Sequence, residues 1–290
     1  MQMWPECAPC IEEMISKVAH MVLDDQAVAE FMLDVRRLPA LVEPSKAFRS
    51  PEVVRDAWAL LLARTGEVDP LAEVKRRQNE LALGLYETAR ASTFGSVDPF
   101  ETALRFAAAG NTLDAMVDVT GRPRADLPDT VATMRVDAER VEVFRARVAR
   151  AKSIVYFGDN CGEIVFDRLL LEVIEAAAAV QVTYVTREVP VVNDATITDA
   201  LAVGLDAVAD IVGNGISEPL PGTDLSKVSQ RVRRLVEEAD LVISKGGANY
   251  EMLDEEPALE GKTTFVLFGK CDPLCGSHGV GRNDLIVFNY

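Results

Sequence analysis

From Ser153 onward the sequence switches repeatedly between two periods, and this alternation restricts the fold more than any other feature. Short β-rich runs occupy Ser153–Phe157, 180–186, 207–212, 240–244, Thr263–Phe268 and 284–288. The first four are separated by stretches at 163–178, 196–203 and 225–238 with helical spacing of apolar residues. In the first of these Val165, Phe166, Leu169, Leu170, Val173 and Ile174 share one face. Strand and helix in alternation predict a layered α/β sandwich with a Rossmann-like, mostly parallel sheet. The last two runs have short connections, which admits an antiparallel edge.

The first third reads instead as helix after helix: 11–23, 24–33 and 51–64, the last with Val53, Val54, Ala57, Leu60 and Leu61 on one face. Asp69-Pro70 and Asp98-Pro99 are helix starts, Asp as cap and Pro in the first turn. The first leads a helix with Leu71, Val74, Leu81 and Leu85 on one side and Lys75, Arg76 and Arg77 on another. The second starts a helix over 100–109 that stops at Gly110. Residues 123–128 read as a linker, followed by a helix through about Ala151. The predicted organisation is a helical N-terminal subdomain over 1–150 and an α/β domain over 151–290.

Bulk properties exclude some functions. A net charge of −16 is wrong for a nucleic-acid surface, which needs clustered Lys and Arg. It also means that a phosphate-bearing substrate needs a metal or a local basic group. The start has neither the basic nor the apolar segment of a signal peptide, and no apolar run approaches the roughly 20 residues of a membrane span. Five cysteines are too few, and odd in number, for a disulfide framework. The expected location is the cytoplasm.

The chemistry-bearing residues fall just after predicted strands. Gly158-Asp159-Asn160-Cys161-Gly162-Glu163 joins the first strand to its helix. In a parallel sheet such a turn lies at the carboxyl end, the usual place for a ligand. After 180–186 comes Arg187 and then Asn193-Asp194-Ala195-Thr196. There Asn193 or Asp194 can simply cap the next helix, and Thr196 with Asp199 resembles a capping box. Gly213-Asn214-Gly215 after the third run is either a tight turn or a place for backbone to approach an anion. After 240–244 comes Lys245-Gly246-Gly247, either a surface lysine in a turn or a phosphate-binding point charge beside open backbone N–H groups. Its spacing is not that of a Walker loop. Because successive strand ends line one rim, Asp159, Asn160, Asp194 and Lys245 are predicted to meet. Two carboxylates and an amide oxygen suit a hard ion such as Mg²⁺ or Mn²⁺, and with Lys245 they fit phosphoryl transfer.

Several ordered blocks carry a resemblance to a known family. Asp159-Asn160-x-Gly162-Glu163, Pro190-x-x-Asn193-Asp194-x-Thr196 and Lys245-Gly246-x-x-Asn249-Tyr250-Glu251 resemble the signature blocks of the metal-dependent damage-control phosphatases. That family was long filed as a domain of unknown function and is also called acidic-residue methyltransferase-like. Lys75-x-x-x-Asn79 and Ala107-x-x-Gly110-Asn111-x-x-Asp114 are similar to its N-terminal blocks, and Cys7-x-x-Cys10 with Lys270-Cys271 to features of its small prokaryotic members. The resemblance runs from about Cys7 to Cys271. It implies metal binding by Asp159, Asn160 and Asp194, with Asp159, Asp194 and Lys245 as the catalytic set. It implies phosphate contact by Lys245, with Glu163, Asn249 and Asn111 nearby. The implied activity is hydrolysis of small phosphorylated metabolites, sugar phosphates or damaged cofactor-related phosphates, with Mn²⁺, Ni²⁺, Co²⁺ or Mg²⁺. The stretch Cys271–Gly279 departs from the aliphatic segment expected after the Lys-Cys pair, which bears on substrate choice.

Two other functions compete. An S-adenosylmethionine-dependent carboxyl methyltransferase has been proposed within the same family, but Gly158-x-x-x-Gly162 lacks the nucleotide-binding glycine fingerprint. A non-catalytic metal or metabolite sensor would keep the ion site and lack turnover. Cys7-x-x-Cys10 is half of a zinc site at most, to be completed by Cys271 and either Cys275 or His278; ordinary buried thiols are the commoner case. The helical part can serve as a lid or as a surface for a homo-oligomer.

Overall fold

The computed structural model describes residues 2–45, 47–113 and 127–290. Asp114 and most of the expected linker, residues 123–126, lie outside them. The N-terminal helices are α1 (Cys7–His20), α2 (Asp25–Val35), α3 (Pro39–Val42), α4 (Ser50–Thr65), α5 (Ala72–Phe94) and α6 (Pro99–Ala109). After them come α7 (Leu127–Thr133) and α8 (Ala138–Arg150). The single helix expected before Ala151 is therefore two, the second capped afresh by Asp137, whose carboxylate accepts the N–H groups of Glu139 and Arg140.

The α/β part runs β1 (Ser153–Phe157), α9 (Glu163–Ala177), β2 (Gln181–Thr186), α10 (Ile197–Ala202), β3 (Asp210–Gly213) and α11 (Gln230–Glu238). It continues with β4 (Leu241–Lys245), α12 (Gly247–Leu253), β5 (Thr263–Phe268), α13 (Asp272–His278) and β6 (Leu285–Asn289). All six strands fall on the predicted runs. The short helices α3, α12 and α13 were not foreseen, because four to seven residues are too few to display a helical period.

The sheet order is β3-β2-β1-β4-β5-β6, parallel except for β6, which pairs antiparallel with β5. Chain direction across the sheet reverses between β1 and β4, so the crevice at their carboxyl ends is the topological switch point. Alternate side chains of the strands serve opposite layers. Ile154, Tyr156, Val182, Tyr184, Leu241 and Ile243 pack into one apolar cluster with α5, α6, α8 and α9. Val155, Phe157, Val185 and Val242 pack into another with α11 and α12. Helices α1 to α4 close a third cluster that includes Val191 and Val192, in the loop between β2 and α10.

Helix α5 corrects the sequence reading. Its buried face is Lys75, Gln78, Asn79, Ala82, Tyr86, Ala89 and Thr93, whereas Leu81 is exposed. Lys75 is buried because two carboxylates meet it: Asp69 at 3.0 Å and Asp199 at 2.8 Å. Apolar periodicity does not register a charge that is neutralised by tertiary partners.

Candidate active site

Two loops at the switch point are joined backbone to backbone. Beyond β1, Asn160 pairs with Asp194 in an isolated antiparallel bridge. The Ala195 N–H donates to the Asp159 carbonyl at 2.9 Å, and the Cys161 N–H to the Asn193 carbonyl at 2.9 Å. Asp159, Asn160 and Asp194 are thereby gathered, each almost fully buried. Asp194 is not a helix cap: Thr196 caps α10, its N–H and hydroxyl both donating to the Asp199 carboxylate at 2.9 and 2.7 Å. Asp194 points elsewhere, accepting from Arg187 Nε at 2.6 Å.

Arg187, the first residue after β2, is 2% exposed. Its Nη1 donates to Thr223 Oγ1 at 3.0 Å and to Asn249 Oδ1 at 3.2 Å. Its Nη2 lies 3.8 Å from Asp159 Oδ1 and has no hydrogen-bond acceptor. Asn249, in α12, donates in turn to the Gly158 and Lys245 carbonyls at 2.9 and 2.8 Å, tying the ends of β1 and β4 together.

Lys245 closes the other side and is no surface residue: it is fully buried as the last residue of β4. Its ammonium donates to the Ala107 carbonyl at 2.8 Å and to Glu163, and it pairs with Asp167 Oδ1 at 3.2 Å. The second oxygen of Glu163 accepts from Asn111 Nδ2 at 2.6 Å. Asp167 also accepts the Tyr156 and Tyr184 hydroxyls at 2.7 and 2.6 Å. Glycine is required at 246, where φ is +84° and a Cβ would overlap the Asp159 carboxylate. In the Gly213-Asn214-Gly215 segment the Asn214 side-chain oxygen accepts the N–H groups of Glu188 and Ile216 at 3.2 and 3.0 Å.

The electrostatics follow from crowding. Burial pushes the Asp159 carboxyl well above its ordinary range; Glu163 and Asp194 add to the rise, and Lys270 and Arg187 oppose it. Burial also raises Glu163, against the pull of Lys245. At Lys245 burial disfavours the ammonium, but Asp167 and Glu163 outweigh it and the pKa is raised. Such a site favours uptake of positive charge. Asp159, Asn160 and Asp194 offer oxygen donors only, a set that fits a hard divalent ion rather than a soft one. Among the described residues no three His, Cys, Asp or Glu side chains assemble in metal-holding geometry, so the zinc arrangement considered for the cysteines is not formed there. The oxygen set is of another kind, two carboxylates and an amide.

The sequence reading left three contributors without a role. Arg187 stands directly off a strand, as Lys245 does; that position was the available signal. Asp167 is a carboxylate buried inside the apolar face of α9, one turn after Glu163. Asn79 accepts the Gly162 N–H at 2.6 Å from a distant helix, a contact with no local signature.

A doubly wound sheet with an acid–amide pair at its switch point and buried basic groups beside it defines an α/β protein with a charge-rich crevice at its strand ends. The comparisons specify which. The model of the damage-control phosphatase ARMT1-like domain matches residues 3–286, and the chain belongs to that family. It is 31% identical to a damage-control phosphatase of Archaeoglobus fulgidus over 99% of each chain. It is 27% identical to the damage-control phosphatase PH1575 of Pyrococcus horikoshii, over 97% of this chain and 96% of that one. The crystal structure of that DUF89 family protein superposes with a TM-score of 0.85, covering 100% of this chain and 99% of the other.

Proposed function

We propose that this phosphatase-family protein hydrolyses small phosphorylated metabolites, sugar phosphates or damaged phosphometabolites, with a divalent ion held by Asp159, Asn160 and Asp194. The observation that carries the proposal is the Asn160–Asp194 bridge, which sets these donors side by side although two of them are 34 residues apart in the chain (194 − 160). Mn²⁺, Ni²⁺, Co²⁺ or Mg²⁺ would contribute Lewis acidity toward a phosphoryl oxygen there. The protein's own residues do the rest. Lys245 keeps a positive charge beside Glu163 and Asp167, Asn111 orients the Glu163 carboxylate, and Asn249 holds the two strand ends in register. Water, oriented by a carboxylate of this set that takes its proton, attacks phosphorus in line; the new P–O bond forms as the bond to the leaving oxygen breaks, and that oxygen takes up a proton and departs as an alcohol, leaving inorganic phosphate.

The test is release of inorganic phosphate from a panel of sugar phosphates, nucleotides and p-nitrophenyl phosphate, first metal-stripped and then with each ion. Turnover should need the ion and should vanish in Asp194→Ala. Full activity of metal-stripped protein, or of Asp194→Ala in excess metal, would remove the proposal.

A further inference from the structure

The site holds two buried cations, and counting their donors separates their roles. A lysine ammonium has three N–H donors; an arginine guanidinium has five in a rigid plane. Lys245 faces three acceptors, the Ala107 carbonyl, Glu163 and Asp167, and has none left over. Arg187 uses Nε on Asp194 and Nη1 on Thr223 and Asn249, and Nη2 on nothing. Those three bonds also lock the guanidinium plane, so the position of Nη2 is set by the fold.

An N–H that finds no acceptor in the protein is costly in a group 2% exposed. Asp159 Oδ1 lies 3.8 Å from Nη2, close enough to attract but too far to accept a hydrogen bond. The unused donor therefore lies beside the residues that would carry the ion, where an oxyanion can accept from it. We propose that Arg187 is the residue that binds the phosphoryl group directly, through Nη2. On this assignment Lys245 is a positioning residue that holds Glu163 and Asp167 in place. The assignment rests on the phosphatase reading for its substrate, but its own content is a phosphate-binding donor.

Lys270 is the competing cation, because its charge also lowers the pKa values of Asp159 and Glu163. It sits half-exposed after β5, whereas the Arg187 donor is buried and oriented.

The experiment compares the full-length protein with Arg187→Lys, Arg187→Gln and Lys270→Gln, each checked for folding by circular dichroism. Mn²⁺ affinity is measured by titration calorimetry, and affinity of the Mn²⁺-loaded proteins for inorganic phosphate by the same method. Arg187→Gln should lose at least about tenfold in phosphate affinity, the effect of removing one charged donor, at a metal occupancy matched to wild type. Arg187→Lys should recover only part of this, because a point charge cannot reproduce the fixed plane. Lys270→Gln should lose less than Arg187→Gln. Phosphate affinity of Arg187→Gln within twofold of wild type would overturn the assignment. So would a loss reproduced in full by Lys270→Gln, or one that disappears when Mn²⁺ occupancy is equalised. Wild-type protein that binds phosphate but hydrolyses no phosphoester would remove the phosphatase reading, and the Arg187 assignment would then be decided by the variant affinities alone.

Discussion

Gly246 shows how tightly the site constrains single residues. Its positive φ of 84° and the space taken by the Asp159 carboxylate leave no room for a side chain. A non-glycine residue in such backbone costs on the order of 1–3 kcal/mol before any overlap. Gly246→Ala should therefore unfold at lower urea than wild type and displace Asp159. Equal unfolding midpoints, together with unchanged ion binding, would contradict this geometry. Asp194 offers a cleaner separation of stability from charge. Asp194→Ala removes the partner of buried Arg187, a change worth about 3–5 kcal/mol, whereas Asp194→Asn keeps an acceptor for Arg187 Nε. Asn should be clearly the more stable of the two by urea titration while both lose ion binding.

Helix α5 acts as a strut between the two site loops. Lys75 and Asn79 are one turn apart; the first holds Asp199 behind the Asp194 loop and the second holds Gly162 behind Asp159 and Asn160. Asn79→Ala should cost about 1–3 kcal/mol by leaving the buried Gly162 N–H without its acceptor, read by urea unfolding. The Lys75–Asp199 pair also makes stability depend on pH. Burial works against the Asp199 carboxylate, but Lys75 and Thr196 prevail and hold its pKa below the ordinary 3.8. A lowered carboxylate stabilises the fold fully above its unfolded pKa and loses that contribution as pH falls through the folded value. Lys75 is raised above 10.5, chiefly by the negative groups that outweigh its burial, so its share is lost only in strong base. The stability gap between wild type and Asp199→Asn should be constant from pH 5 to about 9 and narrow below about pH 4. A gap independent of pH down to pH 3 would mean that the pair carries no such linkage.

At the scale of the molecule, the apolar cluster on one face of the sheet runs without a break from Ala82 in α5 to Val287 in β6. It crosses the boundary expected at residue 150, so residues on both sides bury one another. We expect one cooperative thermal transition for the whole chain, with fluorescence and far-ultraviolet circular dichroism superimposing; two separated transitions would argue for independent halves. An ion bound only by the folded site should raise stability by about 2.7 kcal/mol at a hundredfold excess over its dissociation constant. The corresponding rise in melting temperature should be absent in Asp194→Asn.

Read alone, the sequence determined the strand runs, the helix that starts at Glu163 and the α/β class, and it put Asp159, Asn160, Asp194 and Lys245 at or just beyond strand ends on one rim. These were legible because period, glycine turns and strand ends are local properties of the chain. It left two alternatives open at Asp194 and Lys245, cap or ligand and surface or site. Only tertiary structure removed the cap and surface readings: Thr196 takes the cap, and Lys245 is fully buried among Ala107, Glu163 and Asp167. It also turned Lys75 inward and placed Arg187 between two acids. A buried charge is set by partners far away in the chain, and hydrophobic pattern records only which side chains avoid water, not which ions have found a counter-ion.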